Sequence, residues 1–217
     1  MRRVIPAAML ILVLASCGGE SEEVSEQKVP ATPSAATPTA TTAPVATTSA
    51  ASQLTSVSEK GGTVTIVFTE NGAEQELYGE LRDNGKRKYT LDDGPVLYEV
   101  KPGDDQSFKL RNPDGSLRWK VKISPDKIKI SDNEENKNAF ELKPRAEQRV
   151  KVVAPGDREL GNVRFASEKI DVETADGKVI FSKRSAFAAG GYGVLLLDQI
   201  PPRERFIIVA ELLSRGR

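Results

Sequence analysis

From Lys60 to Arg217 the chain is written in short runs that alternate apolar and polar residues, broken at intervals of about 8–12 residues by turn-forming pairs. One pattern recurs: Asp-Gly, an aliphatic residue two positions after the glycine, and an aromatic two positions later. It reads Asp93-Gly94-Pro95-Val96-Leu97-Tyr98, Asp114-Gly115-Ser116-Leu117-Arg118-Trp119 and Asp176-Gly177-Lys178-Val179-Ile180-Phe181. Asn84-Gly85-Lys86-Arg87-Lys88-Tyr89 keeps the turn and the aromatic. Asp-Gly and Asn-Gly tolerate positive φ and so favour tight hairpins. The aliphatic and aromatic residues, two apart, then fall on one face of the strand that follows. Strands are expected at 63–69, 74–82, 86–92, 96–101, 107–111 and 117–123, and again at 127–131, 139–142, 149–153, 162–165, 169–173 and 179–182. The prediction is a mainly β domain: an antiparallel barrel or sandwich of about twelve strands.

The alternation is cleanest in the middle. Leu117, Trp119, Val121 and Ile123 share one face of their strand, and Arg118, Lys120 and Lys122 share the other. A slip of one residue would expose the whole apolar set, so the register is tightly specified. Lys109, Arg111, Lys127 and Lys129 occupy the same outward positions on the neighbouring strands. Together these seven cations form a candidate surface for anionic lipid or another envelope polyanion. The competing reading is a solvated sheet face whose lysines deter edge-to-edge aggregation.

After Ser185 the pattern changes. Pro201-Pro202 leads into Arg203–Ser214, where only Glu211 is polar between Phe206 and Leu213, and Gly216 follows. A helix over 203–214, apolar on nearly every side, must be buried. It is too short to span a bilayer, which needs about 20 residues.

Many short strands with these turns, closed by a buried C-terminal helix, resemble the tubby C-terminal-like superfamily, which includes LURP-one-related proteins and phospholipid scramblases. The resemblance covers roughly residues 60–217. It implies a β-barrel wrapped around a central hydrophobic helix, and a role in binding lipid headgroups or in protein interaction. No shared catalytic residues come with it. The calcium-binding segment and cysteine cluster of scramblases have no counterpart here, so it implies no scrambling.

The N-terminus speaks to location. Arg2 and Arg3 precede an apolar run of about a dozen residues, then Leu14-Ala15-Ser16-Cys17. That is the layout of a signal peptide, residues 1–16, and its end resembles a bacterial lipobox, in which the cysteine becomes the lipidated (palmitate-bearing) first residue. Cys17 is the only cysteine, so no intramolecular disulfide is possible, and an anchor explains both its presence and its place. Residues 17–59 then form a linker rich in Ala, Thr, Ser and Pro, without an aromatic residue. Such a composition cannot bury enough apolar surface to order itself. About 40 residues would span ~35 Å as a random coil, and the dense Thr and Ser permit O-glycosylation. The globular domain is expected at 60–217.

Composition excludes several chemistries. The chain has no histidine, which removes a histidine general base, a Ser-His-Asp triad and imidazole-based zinc sites. Its 31 basic and 31 acidic residues balance, which argues against nucleic-acid binding. Asp132, Glu134 and Asn136 alternate like calcium ligands, but the required Gly and Glu positions hold Lys137 and Lys143. Gly190-Gly191-Tyr192-Gly193 lacks the Gly-Lys-Ser/Thr ending of a phosphate loop; these glycines are expected to let the chain pass close to the sheet. No metal or cofactor is expected.

The expected protein is an exported lipoprotein, anchored to the cell membrane through Cys17, or to the outer membrane if the cell has two. Its β-rich domain is expected to be a non-catalytic interaction or structural module, with an envelope protein or anionic lipid as partner. An envelope enzyme with two converging carboxylates ranks behind both readings.

Overall fold

A computed structural model of the chain describes residues 52–104 and 106–217. Cys17, the signal peptide and the linker as far as Ala51 lie outside the described residues.

Among the described residues thirteen strands follow one another. They are β1 (Gln53–Lys60), β2 (Thr63–Glu70), β3 (Ala73–Leu81), β4 (Arg87–Leu91), β5 (Val96–Pro102), β6 (Phe108–Arg111) and β7 (Leu117–Ile123). Then come β8 (Ile128–Ser131), β9 (Phe140–Arg145), β10 (Arg149–Val153), β11 (Glu159–Ala166), β12 (Lys169–Thr174) and β13 (Val179–Arg184). The order in the sheet is the order in the chain, and every neighbouring pair is antiparallel. The fold is therefore mainly β, a single meander with one C-terminal helix, α1 (Pro202–Ser214).

Twelve of the strands coincide with those expected. The addition is β1, which lies in residues assigned to the linker, so the folded region begins at least seven residues before Lys60. Only Leu54 and Val57 are apolar there, three positions apart, which breaks the period of two. The pairing with β2 shows why: the register shifts between Leu54 and Ser56. A bulge at that point re-aims the strand.

The thirteenth strand also sets the relative direction of the two edges. In an antiparallel meander all odd-numbered strands run the same way, so β1 and β13 are co-directional and cannot pair as antiparallel neighbours. The sheet curls but does not close, and β1 and β13 are its edges.

Its inner face is a continuous apolar surface. Val64, Ile66 and Phe68 of β2, Leu110 of β6, Val121 of β7, Ile130 of β8 and Val172 of β12 are all buried. Alternation places them there, and α1 fills the space they enclose: residues 206–210 and Leu212 are buried on every side of that helix. The predicted buried helix is present, starting one residue earlier at Pro202. Among the described residues no helix is long and apolar enough to cross a membrane.

The glycines before α1 do what was expected of them. Gly190–Leu196 forms a 3-10 turn pressed between the sheet and α1. A Cβ on Gly193 would stand 2.8 Å from Val152 Cγ2, and one on Gly191 2.9 Å from Leu212 Cβ. Only glycine allows so close a passage.

Candidate functional site

The register of β5 to β9 sorts the predicted cations into rows on the outer face. Lys101 pairs directly with Lys109, and Lys109 with Lys120. In the next row Lys122 pairs with Lys129, and Lys129 with Glu141. Like charges directly opposite one another destabilise a sheet, so these rows cost the fold something. Lys101 was not among the predicted residues, although it follows Glu99 by two positions and so shares its outward face.

Two carboxylates partly offset the repulsion. Glu134, from the loop after β8, lies 2.7 Å from Lys109, 3.2 Å from Arg111 and 3.8 Å from Lys120. Lys120 Nζ also donates to the Glu134 carbonyl. Glu141 of β9 lies 2.7 Å from Lys143, 3.3 Å from Lys129 and 3.6 Å from Lys127. Both carboxyls are held below the usual range, Glu134 chiefly by the hydrogen bond from Lys109 and Glu141 chiefly by that from Lys143. The cations outnumber these acids. Among the described residues, Lys101 and Lys122 have no carboxylate within ion-pair distance.

Lys101, Lys109, Lys120 and Lys122 border a shallow depression of about 420 Å³, which the Gly103–Asp104 turn, Ser107 and Asn136 complete. Four lysines thus line one concavity, and two of them, Lys109 and Lys120, have their ammonium groups on Glu134.

Arg118 differs from the other six predicted cations in bonding to the helix. Its Nε and Nη2 donate to Glu204 at 3.0 and 2.7 Å, in the first turn of α1. The indole Nε1–H of Trp119 donates to the same carboxylate, and the hydroxyl of Tyr98 reaches it at 3.3 Å. A similar cluster lies two helical turns later. Glu211 accepts from Arg87 Nη1 at 3.0 Å, from Tyr89 Oη at 2.7 Å and from Arg215. Glu204 and Glu211 are seven residues apart and so lie on one face of the helix. Both are buried, and each holds an arginine and a tyrosine from the sheet. Their partners are remote in sequence, which is why no local pattern announced them.

These contacts fix α1 along and around its axis. Gly79 makes room for one of them: it sits directly opposite Tyr89 in the register of β3 and β4. A Cβ at Gly79 would stand 2.5 Å from the Tyr89 ring. Burial first, and then the charge of Glu211, push the Tyr89 phenol well above its ordinary value.

The Asp132–Asn136 segment folds as a side-chain-braced turn. Asn133 accepts from the Lys137 N–H at 2.9 Å and donates to its carbonyl at 2.8 Å, while Glu134 turns to the lysines. Among the described residues no three acidic or cysteine side chains gather as a metal site.

Comparison of the chain with protein-family models, with curated proteins and with solved structures returns no match.

Proposed function

We propose that this chain is a lipid-anchored, non-catalytic binding module of the cell envelope, tethered through Cys17, whose domain meets an anionic membrane through the lysine rows of β5–β8. The observation that carries the reading is the direct cross-strand row Lys101–Lys109–Lys120, flanked by Lys122 and Lys129. In a chain of zero net charge, a fold that places like charges opposite one another accepts a cost that an anionic ligand would remove. Each basic residue near an anionic leaflet contributes about 1 kcal/mol. The existing pairs to Glu134 and Glu141 are surface pairs worth about 0–1 kcal/mol each, so phosphate oxygens can replace them.

The resemblance to the tubby C-terminal-like superfamily belongs to this proposal. A single sheet curled around a buried C-terminal helix agrees with that plan, and headgroup binding agrees with the lysine rows. The odd strand number and open sheet depart from it.

The test is co-sedimentation of residues 18–217, which lack leader and anchor but keep every described residue. Phosphatidylcholine–phosphatidylglycerol vesicles are compared with pure phosphatidylcholine. Binding is expected only to the anionic vesicles, weakening as salt shortens the Debye length from about 10 Å at 0.1 M. Lys120→Glu with Lys122→Glu should abolish it. Absence of binding at low salt, or indifference to the double substitution, would overturn the reading.

A further inference from the structure

The edges of the sheet do not meet, and between their first residues lies a groove of about 770 Å³, within the roughly 300–1,000 Å³ typical of ligand sites. Residues 52–55 form one wall and residues 178–182 the other. Both strands enter from the same end, so no antiparallel bond can join them, and among the described residues no other strand pairs with the free edge of either. One further strand, laid between them and antiparallel to both, would satisfy the two edges at once.

The groove is also lined as a peptide site would be. Leu54, Phe206 and Leu195 form its floor, with Phe181 stacked on Tyr192 beside them. Val179 and Ile180 of β13 are 47 % and 40 % exposed, two of four exposed large hydrophobics among the described residues. Ile180 is a bulge in the pairing with β12, where Phe181 faces Val172 and Val179 faces Glu173, so Phe181 and Val179 fall on opposite faces and the β13 edge is apolar on both.

Direction sets the end chemistry. A strand antiparallel to β1 and β13 runs towards their starts, so its C-terminus emerges beside Lys178 and Arg205. Arg205 Nη1 is held by the Leu195 carbonyl at 3.1 Å and by Asp198 at 3.0 Å. Its Nε is buried without a partner among the described residues. Asp198 is 92 % exposed and free to yield to a competing carboxylate. The walls are four to five residues long, about 13–16 Å of extended chain.

We infer that the seam between β1 and β13 binds the C-terminal tail of a partner protein as a fourteenth strand, with apolar residues at alternate positions and the terminal carboxylate at Lys178 and Arg205. The probe is fluorescein-labelled Thr-Val-Thr-Val-Thr-Val, as free acid and as C-terminal amide, titrated against residues 18–217 by anisotropy. The acid should bind saturably, and the amide about tenfold more weakly for want of a charge-assisted contact. Lys178→Glu should erase that difference. Val179→Glu, at an exposed position, should remove binding of both while leaving the urea midpoint unchanged.

Absence of saturable binding at millimolar peptide overturns the inference, as does equal affinity for acid and amide. A protein that sediments as a dimer, and as a monomer with Val179→Glu, would assign the seam to a second copy. Peptide binding that appears only after residues 18–51 are removed would assign it to the chain's own leader-proximal segment. Either result overturns the partner assignment.

Discussion

Replacing Glu211 with alanine should be among the most destabilising single changes in the domain. The carboxylate is 1 % exposed and faces Arg87, whose side chain is 8 % exposed. Without it, Arg87 keeps only Glu59 at 2.7 Å, a residue 39 % exposed. Arg87 Nε already lacks a partner among the described residues, so the guanidinium would be left largely unpaired in the core. Removing one partner of a buried pair costs about 3–5 kcal/mol, and stranding the Tyr89 hydroxyl costs about 1–3. The two losses share a site and do not add fully, so about 4–6 kcal/mol is expected. Folded domains have about 5–15 kcal/mol in all. Trp119, the sole tryptophan, reports the transition by fluorescence during urea unfolding. Glu211→Gln keeps an acceptor and should cost less, and so should Glu59→Ala, which removes a carboxylate 39 % exposed and leaves Arg87 its bond to Glu211. Arg87→Met with Glu211→Leu removes the buried Arg87 charge together with its partner and should recover part of the loss, while the Tyr89 hydroxyl and Arg215 still lack their acceptor. A Glu211→Ala protein no less stable than Glu59→Ala, or a double variant no better than Glu211→Ala, would refute the assignment of this cluster as the helix lock.

Gly79→Ala should cost about 1–3 kcal/mol by overpacking, because its Cβ would meet the Tyr89 ring at 2.5 Å and Arg87 Cδ at 2.9 Å. If the damage passes through Tyr89, combining it with Glu211→Ala in the urea assay should give clearly less than the sum. The pH dependence has two limbs. Burial and Glu211 raise the folded Tyr89 pKa above the unfolded value of 10.0. Its contribution is therefore complete below pH 10 and lost as pH rises beyond it, by about 1.4 kcal/mol per unit. Absorbance at 295 nm should show one tyrosine ionising only with unfolding. Glu134 and Glu141 are depressed from 4.5, so what they contribute is present above that value and fades as pH falls below it. Urea midpoints between pH 6 and 3 measure this, and Glu141→Gln should flatten the slope.

The strands were legible because a half-buried sheet imposes a period of two on the residues themselves, and the Asp-Gly turns mark where each run ends. Leu117, Trp119, Val121 and Ile123 carry that signal without interruption, and Trp119, Val121 and Ile123 are buried. β1 was illegible because its bulge at Leu54–Ser56 breaks the period, and its Ser and Thr continue the composition of the linker. The candidate site was half legible. Alternation names which lysines face outward, but only the register shows Lys101 aligned with Lys109 and Lys120. Arg118 obeys the same alternation, yet its guanidinium bonds to Glu204, 86 residues away, because a buried carboxylate left without a cation would be costly.

One unread strand changes more than a count. Twelve antiparallel strands have first and last members running in opposite directions, and thirteen have them running in the same one. The two polar locks then explain how an open sheet keeps its shape. Glu204 ties α1 to β5 and β7, Glu211 ties it to β4, and Arg203 ties it to Glu70 of β2 and Gln75 of β3. None of these bonds reaches β13, which is held by its ladder to β12 and by the stacking of Phe181 on Tyr192. The helix is thus anchored against one side of the sheet, and the strand at the far edge is tied least. A strand with an open edge and few long-range polar ties has the lowest local opening free energy, so amide exchange should be fastest along β13. Addition of the Thr-Val-Thr-Val-Thr-Val free acid should slow that exchange in β13 and β1 together. Protection of only one edge would mean that the peptide lies against a single strand, and that the co-directional pair is not what the groove recognises.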